Sequence, residues 1–473
     1  MRQLTSLDAQ FLALENARQT GHVGSLAMLD PTTAPEGSFG CREVTRLMSE
    51  RGPQLPPLRW RLANVPLGLD HPYWVEEAEI DLGYHVREMA LASPGNDAQL
   101  ADQVARIMAR PLDRARPLWE LYVIEGHESG LVAVLTKIHH AVIDGLSGAE
   151  IMALLLDLTP EGRDVEPPEE DLADPSPTGL QMLALGLAGL PRYPVRMLKA
   201  VPKALPNLDQ TAFGVFPGMG TLSRVAAKLV RDGVDRPELV APKTKFSGRI
   251  SPHRRFTFGQ LELEDVKAAK NKHGTTVNDV VVSVCAGAVR RWLLEHEDLP
   301  DVPLVAQVPV SVRTGDQFGT YGNRILLMAA PLYTDVEDPV ERLMKTHEAL
   351  LDMKERRGAL PAMLLQDANN FIPPAVFARA ARLTFAFSTS RPGRSAWNLV
   401  ISNVPGPQFP LYMAGAKLVA NYPVSVILDG MGLNITVMSY MGHMDFGIIA
   451  DRDQMPDVDV LLPYLREELE RLL

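Results

Sequence analysis

Apolar and polar positions follow two different rhythms along this chain, and the switch from one to the other marks its elements. The run Leu131-Val132-Ala133-Val134-Leu135-Thr136-Lys137-Ile138 is nearly continuous in apolar, partly β-branched residues, which predicts a strand. A second strand-like run extends from Leu304 to Arg313. Between them Val277, Val281, Val284, Cys285, Ala288 and Trp292 recur at helical spacing. A helix is expected there, capped by Thr275 or Thr276, with Asn278 in its first turn. The apolar stretch Leu180 to Leu190 stops at Pro191, short of the roughly 18 to 20 residues that cross a bilayer.

Breaks in these rhythms divide the chain. Residues 160–177 are acidic and proline-rich, the composition of an extended linker, and Gly214 to Gly220 is rich in turn formers. The breaks predict an N-terminal domain over 1–160, a connecting segment over 161–245 and a C-terminal domain over 246–473. Each outer part mixes strands with helices, an α/β (α+β) pattern, and no short-period repeat is present. A length of 473 residues exceeds one typical core, which fits two domains.

Directly after the first strand comes His139-His140-Ala141-Val142-Ile143-Asp144-Gly145. Side chains alternate along a strand, so the two imidazoles are expected on opposite faces, with only one meeting a substrate. An imidazole with an ordinary pKa near 6.5 is about three-quarters unprotonated at pH 7. It can therefore act as a general base, a role worth about 10²- to 10⁴-fold in rate. Asp144 either orients an imidazole or holds the Gly145 turn by pairing with a distant basic residue. The second is favoured, because residues four apart face each other only on a helix. The same residues would also suit two hydrogen-bonded histidines capping a strand, or a metal held by two imidazoles and a carboxylate. Adjacent strand histidines reach one metal poorly, and no HExxH or CxxC pattern accompanies them, so no metal is expected.

Composition narrows the function classes. With 46% hydrophobic and 22% charged residues the chain reads as globular, and a net charge of -11 argues against a nucleic-acid partner. The two cysteines, Cys41 and Cys285, form no disulfide framework, and Cys285 lies in an apolar run that suits buried packing. Asp8 and Glu15 follow Met1 too closely for a leader's apolar core, so no cleavable leader is expected and a cytoplasmic location follows. Arg192, Arg196, Lys199 and Lys203 recur at helical spacing with Val195, Leu198 and Val201 among them. The 180–205 segment thus reads either as a peripheral contact with a membrane or lipid droplet or as a surface helix joining the domains. Pro194 and Pro202 interrupt a continuous helix.

HHxxxDG is the active-site motif of the CoA-dependent acyltransferase superfamily, which includes chloramphenicol acetyltransferase, condensation domains and wax ester synthase/diacylglycerol acyltransferases. Other segments choose among them. Pro111-Leu112-Asp113 and Pro117-Leu118-Trp119-Glu120 resemble the PLW region of the last family, and Asn278-Asp279 is similar to its ND motif. Pro309-Val310-Ser311-Val312-Arg313, Gly322-Asn323-Arg324 and Ser402-Asn403-Val404-Pro405-Gly406-Pro407 fall in the family's order. Leu7-Asp8-Ala9-Gln10-Phe11-Leu12 and Asp70-His71-Pro72-Tyr73-Trp74-Val75 extend the resemblance over nearly the whole chain.

The resemblance implies two chloramphenicol-acetyltransferase-like domains, each a mixed sheet flanked by helices, with a tunnel between them. It implies an O-acyltransferase moving a long acyl chain from acyl-CoA to diacylglycerol, a long-chain alcohol, or both. His140 would be the base, acyl-CoA a co-substrate, and neither a bound cofactor nor an acyl-enzyme would be needed. His139, Asp144 and Gly145 would be scaffolding, with Arg313 the far-side partner of Asp144. Alternatives keep the fold with another acceptor, as in a condensation-type or glycolipid acyltransferase, or make the chain a weakly active lipid-surface-binding protein.

The remaining candidates have two readings each. An amide at a helix N-terminus suits donation to an oxyanion, so Asn278 is either that donor or a packing or capping residue. Asp279 is expected to be structural, since a second carboxylate would oppose the chemistry. Pro117, Leu118 and Trp119 line an acyl channel or pack the N-terminal core, with the core favoured. Ser402 and Asn403 are candidates for the acyl-CoA or acyl channel. An acidic protein that binds anionic CoA needs local positive charge. Lys267, Lys270 and Lys272 with His273 form one cluster, Arg254 and Arg255 another, and either would otherwise be a solvated face.

Overall fold

The computed structural model describes residues 1–142, 155–165, 175–191, 240–311, 325–357 and 397–473. Asp144, Gly145 and Arg313 lie outside the described residues, as do the 192–203 basic segment and Gly214 to Gly220.

The strand expected ahead of the histidines forms as β7 (Val132–His139), near the centre of a six-stranded sheet. From one edge to the other, this sheet runs β12 (Tyr412–Met413), β13 (Ala416–Val424), β2 (His22–Asp30), β7, β6 (Trp119–Glu125) and β5 (Val86–Ala90). Only β5 and β6 are parallel neighbours. A second six-stranded sheet runs β10 (Ile325–Leu332), β9 (Leu304–Ser311), β11 (Leu399–Val404), β14 (Leu433–Tyr440), β15 (His443–Asp451) and β8 (Arg254–Glu262). In it β11 lies parallel to both β9 and β14, and the other pairings are antiparallel. A short sheet of β1 (Arg2–Gln3), β4 (Tyr73–Glu76) and β3 (Trp60–Ala63) stands apart.

The sheets do not respect the linear division of the chain. β12 and β13 come from the C-terminal half yet complete the N-terminal sheet, with β13 antiparallel to β2. A bare β2 would present a row of unsatisfied backbone groups, and β13 covers it.

Two-residue alternation decides which core each strand side chain joins. On β7, Val132, Val134 and Ile138 face the N-terminal core with Ala27 and Leu29 of β2. Ala133 and Leu135 face the other way, with Leu26 and Met28, into an apolar layer shared with helix Asp97–Met108, β8 and β15. The C-terminal core centres on helix Val277–Glu295, which packs against helix Leu461–Glu470 and β9, β11 and β14. Cys285 is buried there and burial pushes its thiol up to about 12, so it packs rather than reacts. A Cβ at Gly287 would sit 2.1 Å from Glu468 Oε2, so this helix can approach Glu468 only with glycine there. Glu468 is engaged by Arg342, both fully buried, and removing one member of such a pair costs about 3–5 kcal/mol.

Candidate active site

The chain enters the site through helix Ser6–Leu14, whose cap Thr5 accepts a hydrogen bond from the Asp8 N–H at 3.2 Å. Glu15 is the first residue beyond it. A turn follows, tightened by Asn16 Oδ1 accepting from the N–H groups of Arg18 and Gln19, and leads to Gly21 and β2. Because β2 and β7 pair His22 with His139, the two rings share one face of the sheet, edge to face with centroids 5.9 Å apart.

Glu15 is the hub of this end of the sheet. Its Oε1 accepts from the Gly21 N–H at 2.7 Å and lies 3.2 Å from His139 Nε2 and 3.5 Å from His22 Nε2. Its Oε2 accepts from Arg114 Nη2 at 2.7 Å. Burial works to raise the Glu15 carboxyl, but the two imidazoles and the Gly21 N–H outweigh it and hold the group well below the usual carboxylate range. Burial, with the charge of Lys137 and the neighbouring His139, drives His22 well below 6.5 despite Glu15. Lys137 shares this face of β7, is itself buried, and donates to the Arg110 carbonyl at 2.7 Å. Burial brings it down to about 8 although Glu120 stands 3.4 Å away.

The paired histidines occupy different surroundings. His139 is 1% exposed, and its Nδ1 accepts from the Ala141 N–H at 3.0 Å. A neutral ring that accepts at Nδ1 carries its proton on Nε2, which here faces Glu15. Nε2 lies within ion-pair distance of that carboxylate. His140 leaves the strand in a turn, donates its backbone N–H to the Gly21 carbonyl at 2.8 Å and keeps a half-buried ring. That ring stacks on Phe11, with centroids 4.1 Å apart and planes 15° from parallel.

In the C-terminal half, Thr276 caps helix Val277–Glu295 and places Asn278 in the first turn. Thr276 Oγ1 accepts from the Asp279 N–H at 3.2 Å, and the Asp279 carboxylate accepts from the Thr276 N–H at 2.8 Å. Asp279 also meets His347 Nδ1 at 2.7 Å, tying this helix to helix Pro339–Arg357. These contacts are structural. Asn403 on β11 donates to Asn278 Oδ1 at 3.4 Å. With its oxygen so engaged, Asn278 turns N–H donors toward whatever else it meets.

Other candidates fall as follows. Pro117, Leu118 and Trp119 are buried, and Trp119 donates from Nε1 to the Leu58 carbonyl at 2.8 Å while stacking on His85 at 4.3 Å. These are the contacts of core residues. Ser402 and Asn403 are half-buried on β11. Lys267, Lys270 and Lys272 lie on helix Leu263–His273, where Lys272 donates to the Leu473 carbonyl and His273 meets that of Leu472. The Arg254 and Arg255 cluster needs correction as an anion site. Arg254 is buried and donates to the carbonyls of Ser251, His253 and Arg18, while Arg255 pairs with Asp102 at 2.8 Å. The residues missed from sequence are Glu15, Phe11, Gly21, His22 and Lys137. Only Phe11 carried a signal, inside the Leu7 to Leu12 segment.

The architecture is that of the two-domain chloramphenicol-acetyltransferase-like proteins. The first condensation domain of the calcium-dependent antibiotic synthetase matches it with a TM-score of 0.56 at 17% identity, over 100% of this chain and 96% of that one, a likeness of fold alone. Sequence narrows the class. The wax ester synthase/diacylglycerol acyltransferase catalytic domain matches residues 4–281, and the family's C-terminal domain matches 321–473. O-acyltransferase WSD of Acinetobacter baylyi is 34% identical over 99% of this chain and 96% of its own length. A Mycobacterium tuberculosis protein, provisionally named a diacylglycerol O-acyltransferase, is 36% identical over 100% of this chain and 90% of its own. The wax ester synthase/diacylglycerol acyltransferase of Marinobacter aquaeolei VT8 superposes with a TM-score of 0.68 at 30% identity, over 99% of this chain and 98% of that one. The chain belongs to the wax ester synthase/diacylglycerol acyltransferase family.

Proposed function

We propose that the protein transfers a long acyl group from acyl-CoA to the hydroxyl of a diacylglycerol or a long-chain alcohol. The observation that carries this reading is the inequality of the two imidazoles: His139 is buried, with Nδ1 accepting from the Ala141 N–H and Nε2 facing Glu15, whereas His140 carries a half-buried ring stacked on Phe11. His140 takes the hydroxyl proton as the alcohol oxygen attacks the thioester carbonyl. The C=O π pair moves onto oxygen, and the Asn278 amide donates to that oxyanion. Collapse re-forms the carbonyl and expels CoA thiolate, which takes the proton from His140. An ester and free CoA result, with no acyl-enzyme.

The remaining assignments belong to the same proposal. Asp144 and Arg313, which lie outside the described residues, are the proposed ion pair that would lock the segment after His140, as the family resemblance implies. Lys267 and Lys270 are the candidates for the CoA phosphates. The acyl chain runs in a tunnel between the halves, where each buried CH₂ is worth about 0.8 kcal/mol.

Contact with a lipid surface runs through helix Gly179–Gly189. Gly186 and Gly189 lie against Val65, Leu69 and Asp70, so the small face of the helix packs inward. Leu180 and Leu187 are left 80% and 53% exposed beside Leu67 at 83%. Such a patch suits a monolayer or membrane interface. No described helix is long and apolar enough to cross a membrane.

The test of the reaction offers purified protein palmitoyl-CoA with dioleoylglycerol, hexadecanol or hexadecylamine and follows CoA release and product. Ester formation with the alcohols is expected, and reaction with the amine alone overturns the reading. Flotation with anionic liposomes tests the surface. Leu67→Asn/Leu180→Asn/Leu187→Asn is expected to reduce co-flotation, and wild-type flotation of that variant rejects the contact.

A further inference from the structure

Glu15 sits where three chain segments converge. From the first helix it reaches Gly21 before β2, His22 on β2 and His139 on β7, and it meets Arg114 from the loop before β6. Arg114 also donates to the Leu12 carbonyl at 2.7 Å, so the end of the helix and the carboxylate are held together. Two paths lead from this group to His140. Through the backbone, Glu15 holds the Gly21 N–H and the Gly21 carbonyl holds the His140 N–H. Through side chains, the same helix carries Phe11, on which the His140 ring stacks. A Cβ at Gly21 would stand 3.1 Å from His139 Nε2, so the turn lies close against the ring that Glu15 faces.

We propose that Glu15 is a positioning residue for the base. Its carboxylate fixes Gly21 and holds His139 in the Nε2–H tautomer, so that the turn presents His140 on Phe11 in one orientation. His139 keeps Nδ1 as the acceptor for Ala141 only while its proton remains on Nε2, facing Glu15. The charged groups around the carboxylate are Arg114 and the imidazoles of His22 and His139, with Lys137 beyond His22. The inference rests on His140 acting as the base.

The test is Glu15→Gln, which keeps the size of the side chain and an acceptor for Gly21 but removes the charge. With palmitoyl-CoA and hexadecanol, kcat is expected to fall roughly 10- to 100-fold, the range for a reacting group held out of place. KM for acyl-CoA stays within about twofold, because Glu15 touches the base's support and not the donor. The acid limb of the kcat profile moves to lower pH, because a nearby negative charge favours the imidazolium. A glutamate that only held the fold together would cost stability without lowering kcat of the folded variant. Wild-type kcat with an unshifted limb overturns the proposal. Should the variant fail to fold, ¹⁵N spectra of histidine-labelled wild type decide: a His139 proton on Nε2 supports the proposal and one on Nδ1 overturns it. Full activity in His140→Ala would sink the base assignment instead, whereas an inactive His140→Ala beside a normal Glu15→Gln sinks this inference alone.

Discussion

The two halves of the molecule each offer one polar side chain to the proposed chemistry, and they hold it by opposite means. His140 is positioned from a distance: Glu15, Gly21 and Phe11 reach it from more than a hundred residues earlier. Asn278 is positioned mostly at home, by a helix whose cap and first turn are adjacent in sequence, with Asn403 as a remote hydrogen-bond partner. The base site is an ionic assembly in a buried pocket of charge. The amide site is a helix terminus, where orientation comes with the fold of one element. The first should therefore be sensitive to charge, and the second to the loss of a single donor.

The largest effect expected on the amide side is catalytic. Asn278→Ala should lower kcat by about 10²- to 10³-fold, equivalent to about 2.7–4 kcal/mol, with little change in KM. Steady-state kinetics with palmitoyl-CoA checks this, and an undiminished kcat would make Asn278 a packing residue.

Charge produces the next contrast, in the pH dependence of stability. His22 titrates below its ordinary 6.5 in the fold, so the stability it contributes is complete above that pH and drains away as the pH falls. Glu15, also depressed, has the same sign below 4.5. In the C-terminal sheet Asp445 has the opposite sign. Burial raises its carboxyl to about 6, against the opposing hydrogen bonds from the Asn421 N–H and Gln260 at 2.7 Å. Its cost, roughly 3 kcal/mol, is absent below about pH 4 and complete above about pH 6. Between pH 7 and pH 5 the melting temperature of Asp445→Asn should therefore fall more steeply than that of the wild type. Parallel calorimetric curves would contradict this assignment.

The smallest effect concerns the helix cap. Asp279→Ala removes the reciprocal partner of Thr276 and the contact to His347, and should cost about 0.5–2 kcal/mol in chemical denaturation. A larger loss in kcat than the stability change explains would give Asp279 a part in the reaction.

What could be read in advance follows the same divide. The strand before the histidines, the helix from Val277 and its cap at Thr276 are written in local periodicity, and each is present. Asp279, three residues after the cap, completes the capping box with Thr276. The Glu15 assembly was invisible because no spacing rule joins residue 15 to residue 139. Asn278 and Asn403 were both candidates, yet nothing in the chain announced that they touch. The passage of β12 and β13 into the other half's sheet was equally hidden, since a strand carries no mark of which edge it will cover. Arg254 and Arg255 looked like a basic patch because two adjacent charges suggest a surface. The fold buries the first against three backbone carbonyls and pairs the second with Asp102.

The central claim is that one imidazole of the pair moves the proton, and CoA release by His140→Ala tests it most directly. With palmitoyl-CoA and hexadecanol, and folding verified by circular dichroism, the account predicts a fall in kcat of about 10²- to 10⁴-fold. A variant that releases CoA and forms ester at the wild-type rate would contradict it.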